Sequence, residues 1–356
     1  MPSASIANMH VAQRRILRLA LGTALSLAFS QIFNWPMSFI APVFTMFLLA
    51  TPLPAPGLKK GFILVLALMV IVYGSMLVFV PFFEHVRWAG VLLLIPALYG
   101  CFYYSARGGS MVMAMLMTVG LALVVTVGSV SIDGLLTVAG GISTGAVFGI
   151  VFVWIAHALL PDMPCGTVTQ PAPETSKPSL GFARKSAVRS LLVVFPLTLL
   201  LLFSSSSYAY FAVMMKVASM GQQASVSDSR KMGRSLLEST VWGGLAAIII
   251  WQLLSMWPSL LIYCLLVALA GLLFGRFIFQ GAGRHAKSEM ATFAFLTMIV
   301  IIAPAVMDGQ AGSDAGASFY TRLLMFIGIA IYGTVSVAVF DAFWPQKKML
   351  KSAPGQ

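Results

Sequence analysis

The sequence predicts an all-α polytopic membrane protein of about twelve spanning helices, arranged as two parallel six-helix repeats. Three observations carry that expectation. Only 9% of the 356 residues are charged and 59% are hydrophobic, whereas a soluble domain carries about 25% charged residues. Apolar runs recur at about the 20-residue length that a spanning helix needs. Basic residues gather in short clusters between those runs, and all but Arg87, Lys216 and Arg322 fall on one side when the runs are threaded back and forth. That is the positive-inside pattern, and it puts both termini in the cytoplasm.

The runs lie, in order, at 16–33, 38–56, 61–81, 89–105, 110–127, 135–160, 187–203, 208–224, 235–255, 259–278, 289–306 and 319–343. The first lacks a small-residue cleavage site and reads as a helix rather than a leader. The stretch "PDMPCGTVTQPAPETSKPSLGFARKS" (161–186) is rich in Pro, Ser and Thr and reads as a cytoplasmic linker. It separates a first half, 1–160, from a second, 187–356.

The halves resemble one another. "FGIVFVWIAHALLPD" (148–162) aligns with "YGTVSVAVFDAFWPQ" (332–346), placing Gly149 on Gly333 and Pro161 on Pro345. "LYGCFYY" (98–104) aligns with "LFGRFIF" (273–279). Arg18 pairs with Arg189 and Lys60 with Lys231. Six spans per half is an even number, so both halves enter the membrane in the same direction. The second span of each half is irregular. The first reads "FIAPVFTMFLLATPLPAPGLKK", with Pro42, Pro52, Pro54 and Pro56. The other reads "YFAVMMKVASMGQQASVSDSRK" and turns polar from Ser219. Interrupted spans at matching positions point to a transport site.

The net charge of +12 is spread over loop clusters, which argues for the lipid bilayer as partner and against nucleic acid. Cys101, Cys165 and Cys264 form neither a metal-ligand spacing nor a disulfide framework. No cofactor or metal is expected. The phosphate-cradling Gly-x4-Gly-Lys-Ser/Thr motif does not occur, and its nearest text, "GFARKS", lacks the glycines. The chain is therefore not expected to be an enzyme, and uphill transport would draw on an ion gradient or a separate motor.

Lys216 is the sharpest single signal. It stands among apolar residues, with Asp228 the next charge towards the C-terminus. An ionisable group at membrane depth usually faces a bundle interior or a water-filled path. Its repeat mate is Thr45, so the expected substrate path holds Lys216, Thr45, Pro42, Ser219 and Gln222. Asp341 and His157 match across the repeat, about one turn before a terminal proline, and are proton-relay candidates. Glu238 joins them, four residues after Arg234 at the start of a span, although that spacing also makes a simple helix-stabilising pair. The His157–Asp162 spacing resembles that of some acyltransferases, but the repeat mate keeps neither group. Glu84, Asp133, Asp308, Asp314 and Arg322 lie in or beside outer loops and are expected to be solvated.

The opening "RRILRLALGTALSLAF", the following "NWPMSFIAPVFTMFLLATP", and "SRKMGRSLLESTVWGGLAAIIIW" in the second half resemble the fusaric acid resistance and aromatic acid exporter superfamily. The likeness is to its short branch, with two membrane halves and no large soluble domains. The resemblance implies a bacterial inner-membrane efflux permease for small anionic or aromatic substrates, often served by a periplasmic adaptor protein. Distant relatives of the superfamily resemble plant anion channels, so an anion channel is the second expectation. A non-transporting envelope scaffold or polymer-modifying membrane protein is the third.

Overall fold

The computed structural model describes residues 2–35, 37–109, 113–114, 117–118, 120–121, 132–161, 180–202, 213, 216–221, 229–280, 283–310 and 315–343. Its helices are α1 (Pro2–Ile32), α2 (Ile40–Leu49), α3 (Leu58–His85), α4 (Arg87–Ala106) and α5 (Ile132–Leu159), then α6 (Leu180–Leu202), α7 (Ser229–Met256), α8 (Leu260–Ile278), α9 (Ser288–Gln310) and α10 (Ala315–Phe343). Residues 216–221 are also helical. A two-residue antiparallel pair, β1 (Phe279–Gln280) with β2 (Gly283–Arg284), follows α8. Seven helices among the described residues (α3, α4, α5, α7, α8, α9 and α10) are long and apolar enough to cross a membrane. The chain is an all-α polytopic membrane protein. Most of the expected span 110–127, most of 208–224 and most of the 161–186 linker lie outside the described residues.

The reversal from α1 to α2 follows from "FNWPM". Asn34 has a φ of +45°, a left-handed conformation that Asn tolerates better than most residues. The Asn34 N–H donates to Gln31 O at 3.1 Å, and the Trp35 N–H donates to Ser30 O at 3.2 Å. This is the Schellman pattern, which satisfies the last carbonyls of a helix. Its usual apolar clasp is present as Trp35 against Phe29, with ring centroids 5.4 Å apart. Trp35 also meets Phe148 of α5 at 4.3 Å, and Phe29 meets Phe152 at 5.4 Å. The turn is thus fastened to α5 by rings.

The expected span 38–56 is helical only over Ile40–Leu49. Pro52, Pro54 and Pro56 withhold donors and push their predecessors to extended backbone, so residues 50–57 are irregular until α3 begins. Pro42, expected to interrupt the span, sits instead in the first turn of α2, where no intrahelical partner for its N–H is lost.

Helices in lipid gain little from apolar burial against one another, so close packing at small residues holds them together. Gly145 and Gly149 form a Gly-x3-Gly step on α5 that receives α2. A Cβ at Gly145 would lie 2.6 Å from Ile40 Cγ2, and one at Gly149 would lie 2.6 Å from Phe44 Cβ. Gly271 and Gly275 of α8 admit Ala20 and Ile16 of α1 in the same way, and Gly333 of α10 meets Met220. Helix α9 is the centre, with 78% of its span window buried, and α3 is the periphery, with 17%. Phe62, Leu66, Val70 and Leu77 of α3 are exposed, as a lipid-facing surface requires. Helix contacts join α1 to α8, α4 to α6, α2 to α5, α3 to α5, α7 to α10, α1 to α5 and α6 to α10.

Gly243 of α7 tests the close-packing account. A Cβ there would lie 2.5 Å from Ala294 O and 2.8 Å from Thr297 Cβ, whereas Gly328 of α10 faces open space. Gly243→Ala is expected to cost about 1–3 kcal/mol as an overpacked contact. Gly328→Ala is expected to be neutral or to stabilise by up to about 1 kcal/mol through helix propensity. Thermal unfolding midpoints of the two variants in detergent check both signs.

Candidate functional site around Lys216

Lys216 lies in the described helical residues 216–221 and is only 2% exposed. Its ammonium meets two neighbouring helices rather than lipid. Nζ donates to Thr297 Oγ1 of α9 at 2.9 Å and lies 5.9 Å from the ring centroid of Phe326 on α10. Thr297 is placed to accept because its own hydroxyl donates back to Phe293 O, one turn earlier, at 2.7 Å. That bond fixes the Thr297 rotamer and turns an oxygen lone pair towards α10 and Lys216. No carboxylate among the described residues pairs with Lys216. A buried cation held by one neutral acceptor and a ring face retains unused donor capacity.

The other residues expected on a substrate path are placed as follows. Thr45 is fully buried in α2, and its hydroxyl lies 2.9 Å from Ala41 O and 3.2 Å from Gly149 O, so it fastens α2 to α5. Pro42 is buried in the same helix. Ser219 donates to Lys216 O at 2.8 Å, a bond within its own turn. Gln222 lies outside the described residues. Among the relay candidates, His157 is half-buried near the end of α5, and its Nδ1 donates to Val153 O at 2.8 Å. Asp341 lies in the last turn of α10, and its side chain is outside what is described. Glu238 accepts from Arg234 Nε at 2.6 Å, with Arg234 79% exposed, which is the helix-edge pair that its spacing allows. The structure brings Lys216 to α9 and α10. It does not bring Thr45 or Glu238 into hydrogen-bond contact with it.

Two features run against or beyond the sequence reading. Arg322 and Asp308, expected to be solvated in or beside outer loops, form an ion pair between α10 and α9 at 2.6 Å, and Arg322 is 7% exposed. Helix α9 runs to Gln310, past the expected span end at 306, so Asp308 stands inside a helix as Arg322 does. Arg322 lies four residues before Phe326, one turn away on the same face of α10 as the ring that meets Lys216. The second feature is Thr297, which hydropathy could not single out because it sits inside an apolar run and its partner is 81 residues distant. Arg18 and Arg189, matched across the halves, are both buried, at 3% and 1% exposure.

Residues 15–156 match the model of a family described as a protein of unknown function, DUF2955. The match begins in α1 and ends in α5. No curated protein and no solved structure matches the chain.

The Lys216–Thr297 contact predicts a measurable coupling. Thr297→Val keeps the shape but removes the acceptor and leaves a buried ammonium unsatisfied, so it is expected to destabilise more than Thr297→Ser. Adding Lys216→Met to Thr297→Val is expected to restore part of the loss. A double-mutant cycle on the unfolding midpoint is expected to give a coupling of about 1 kcal/mol or more.

Proposed function

We propose that this chain is an efflux permease of a bacterial inner membrane, exporting small anionic or aromatic compounds by proton coupling. One observation carries the reading: the Lys216 ammonium is buried between helices with no carboxylate among the described residues to neutralise it. Such a group costs about 2.5–3.5 kcal/mol on insertion scales. The cost is offset when the charge lowers the energy of an anion crossing the apolar core. In the described conformation Thr297 and Phe326 enclose Lys216. An anion reaches it when α9 and α10 part from the 216–221 helix, as alternating access requires.

The finer architecture belongs to the same proposal. Twelve spans form two parallel six-helix halves, 1–160 and 187–356, with both termini in the cytoplasm. The exchanged contacts support it: α1 on α8 and α4 on α6 are each other's image if the halves are related by a twofold axis along the membrane normal. So does the family match, which covers the first six spans of the proposed first half and nothing of the second. A periplasmic adaptor protein is the proposed partner, and the expressed neighbour that co-purifies with the chain identifies it.

Flux through reconstituted proteoliposomes tests the function, with aromatic carboxylates and sulfonates as substrates. Lys216→Met is expected to insert and fold but to lose export by at least tenfold, and Lys216→Arg to retain part of it. A Met variant with parental flux sinks the proposal. Flux that ignores a pH gradient and follows membrane potential replaces it with an anion channel.

The proton step has its own test. His157→Ala and Asp341→Asn are each expected to blunt the response of flux to a pH gradient while substrate binding persists. Full coupling in both variants between pH 6 and 8 removes these two residues from the relay.

A further inference from the structure

A cavity of about 350 Å³ lies between the C-terminal end of α1, the α7–α8 turn and α9. It falls within the range of small-molecule sites, roughly 300–1,000 Å³. Its lining includes Gln31, Trp251, Ser255, Ser259, Tyr263 and Ala305, and among the described residues none that lines it is charged. Ala305 lies eight residues beyond Thr297 on α9, about 12 Å along the helix, so the cavity is distinct from the surroundings of Lys216.

The wall is mostly apolar, and its polar groups can be accounted for one by one. The Ser255 hydroxyl donates to Gln252 O at 2.8 Å. The Gln31 amide nitrogen donates to Ser38 Oγ at 2.9 Å, and Ser38 in turn donates to Met307 Sδ at 3.7 Å. Ser259, at the N-cap of α8, makes no side-chain capping bond. Among the described residues the Tyr263 hydroxyl has no hydrogen-bond partner, and the residue is only 1% exposed. A buried Tyr hydroxyl ordinarily finds a partner, and leaving one unmet costs about 1–3 kcal/mol. Trp251 is held flat against Phe319, with centroids 5.1 Å apart and planes 9° from parallel, so one of the walls is a rigid ring.

The geometry points to a binding site for a neutral aromatic alcohol: a flat ring against the Trp251 side, with a hydroxyl that exchanges hydrogen bonds with Tyr263, Ser259 or Gln31. A lining without charge among the described residues favours the neutral form, because an anion entering it would give up water and meet no cation in that lining. The assignment goes beyond the exporter reading and stands whether or not Lys216 carries an anion.

Equilibrium dialysis of the full chain in lipid nanodiscs tests it, with empty nanodiscs subtracted. The probes are 2-naphthol, naphthalene and 2-naphthoate at neutral pH. Saturable binding is expected in the order naphthol, naphthalene, naphthoate. Tyr263→Phe is expected to weaken naphthol by about fivefold, the worth of one hydrogen bond, and to leave naphthalene unchanged. Ser255→Ala, whose hydroxyl is already committed, is expected to change nothing. Ser259→Trp at the rim is expected to abolish binding of all three while the protein elutes as the parent does.

Naphthoate binding as tight as naphthol overturns the proposal. So does a Tyr263→Phe variant that gains thermal stability and loses no naphthol affinity, since the hydroxyl would then be merely unsatisfied. A phospholipid retained by the purified parent and lost in Ser259→Trp, seen by native mass spectrometry, also overturns it in favour of a lipid site.

Discussion

Backbone approach at glycine sets where the other groups of this bundle sit. In lipid there is little apolar driving force between helices, so contact must come from shape. Gly145 and Gly149 let α2 lie against α5, and this brings Thr45 within reach of Gly149 O. Gly243 lets α7 lie against Ala294 and Thr297, the residue whose hydroxyl bonds Phe293 O and accepts from Lys216. A side chain added at Gly243 would press on the acceptor of the buried ammonium without touching Lys216 itself.

Polar groups inside this protein are satisfied mainly by the nearest available carbonyl. Thr45, Thr118, Thr198, Thr240, Thr292 and Thr297 each return a hydrogen bond to the carbonyl four residues earlier. This habit removes the donor from circulation and leaves the oxygen as an acceptor. A threonine treated this way is a neutral acceptor built into a helix wall. Thr297 shows what such an acceptor is worth when a cation comes near. Tyr263 shows the opposite case: its ring is too long for a local carbonyl, and its hydroxyl is left over.

The membrane class and most span positions were legible because they depend on composition and run length alone. The α1–α2 reversal was legible in principle, since Asn-Trp-Pro after an apolar run states a left-handed cap, an aromatic clasp and a stop. Burial of Lys216 followed from its isolation among apolar neighbours. Its partner did not, because hydropathy treats Thr297 as one more residue of a run, and no local pattern links spans 81 residues apart. Asp308 fell two residues beyond the expected end of its span, and Arg322 fell near the start of the next, so both were read as solvated groups at the outer edge. The structure carries α9 past Asp308 and pairs the two charges. Likewise Pro42 was read as an interruption, because the first turn of α2 could not be located before the start of that helix was known.

The α1–α8 seam has a consequence for the order of assembly. Gly271 and Gly275 receive Ala20 and Ile16, which leave the ribosome some 250 residues earlier. At roughly 5–20 residues per second, α1 waits about 10–50 s for the partner that fills its seam. Until α8 is made, the face of α1 that carries Ala20 and Ile16 lacks the glycine step that receives it in the finished protein. The seam between α1 and α8 therefore closes only when most of the chain has been synthesised, and a product truncated before Gly271 cannot form it.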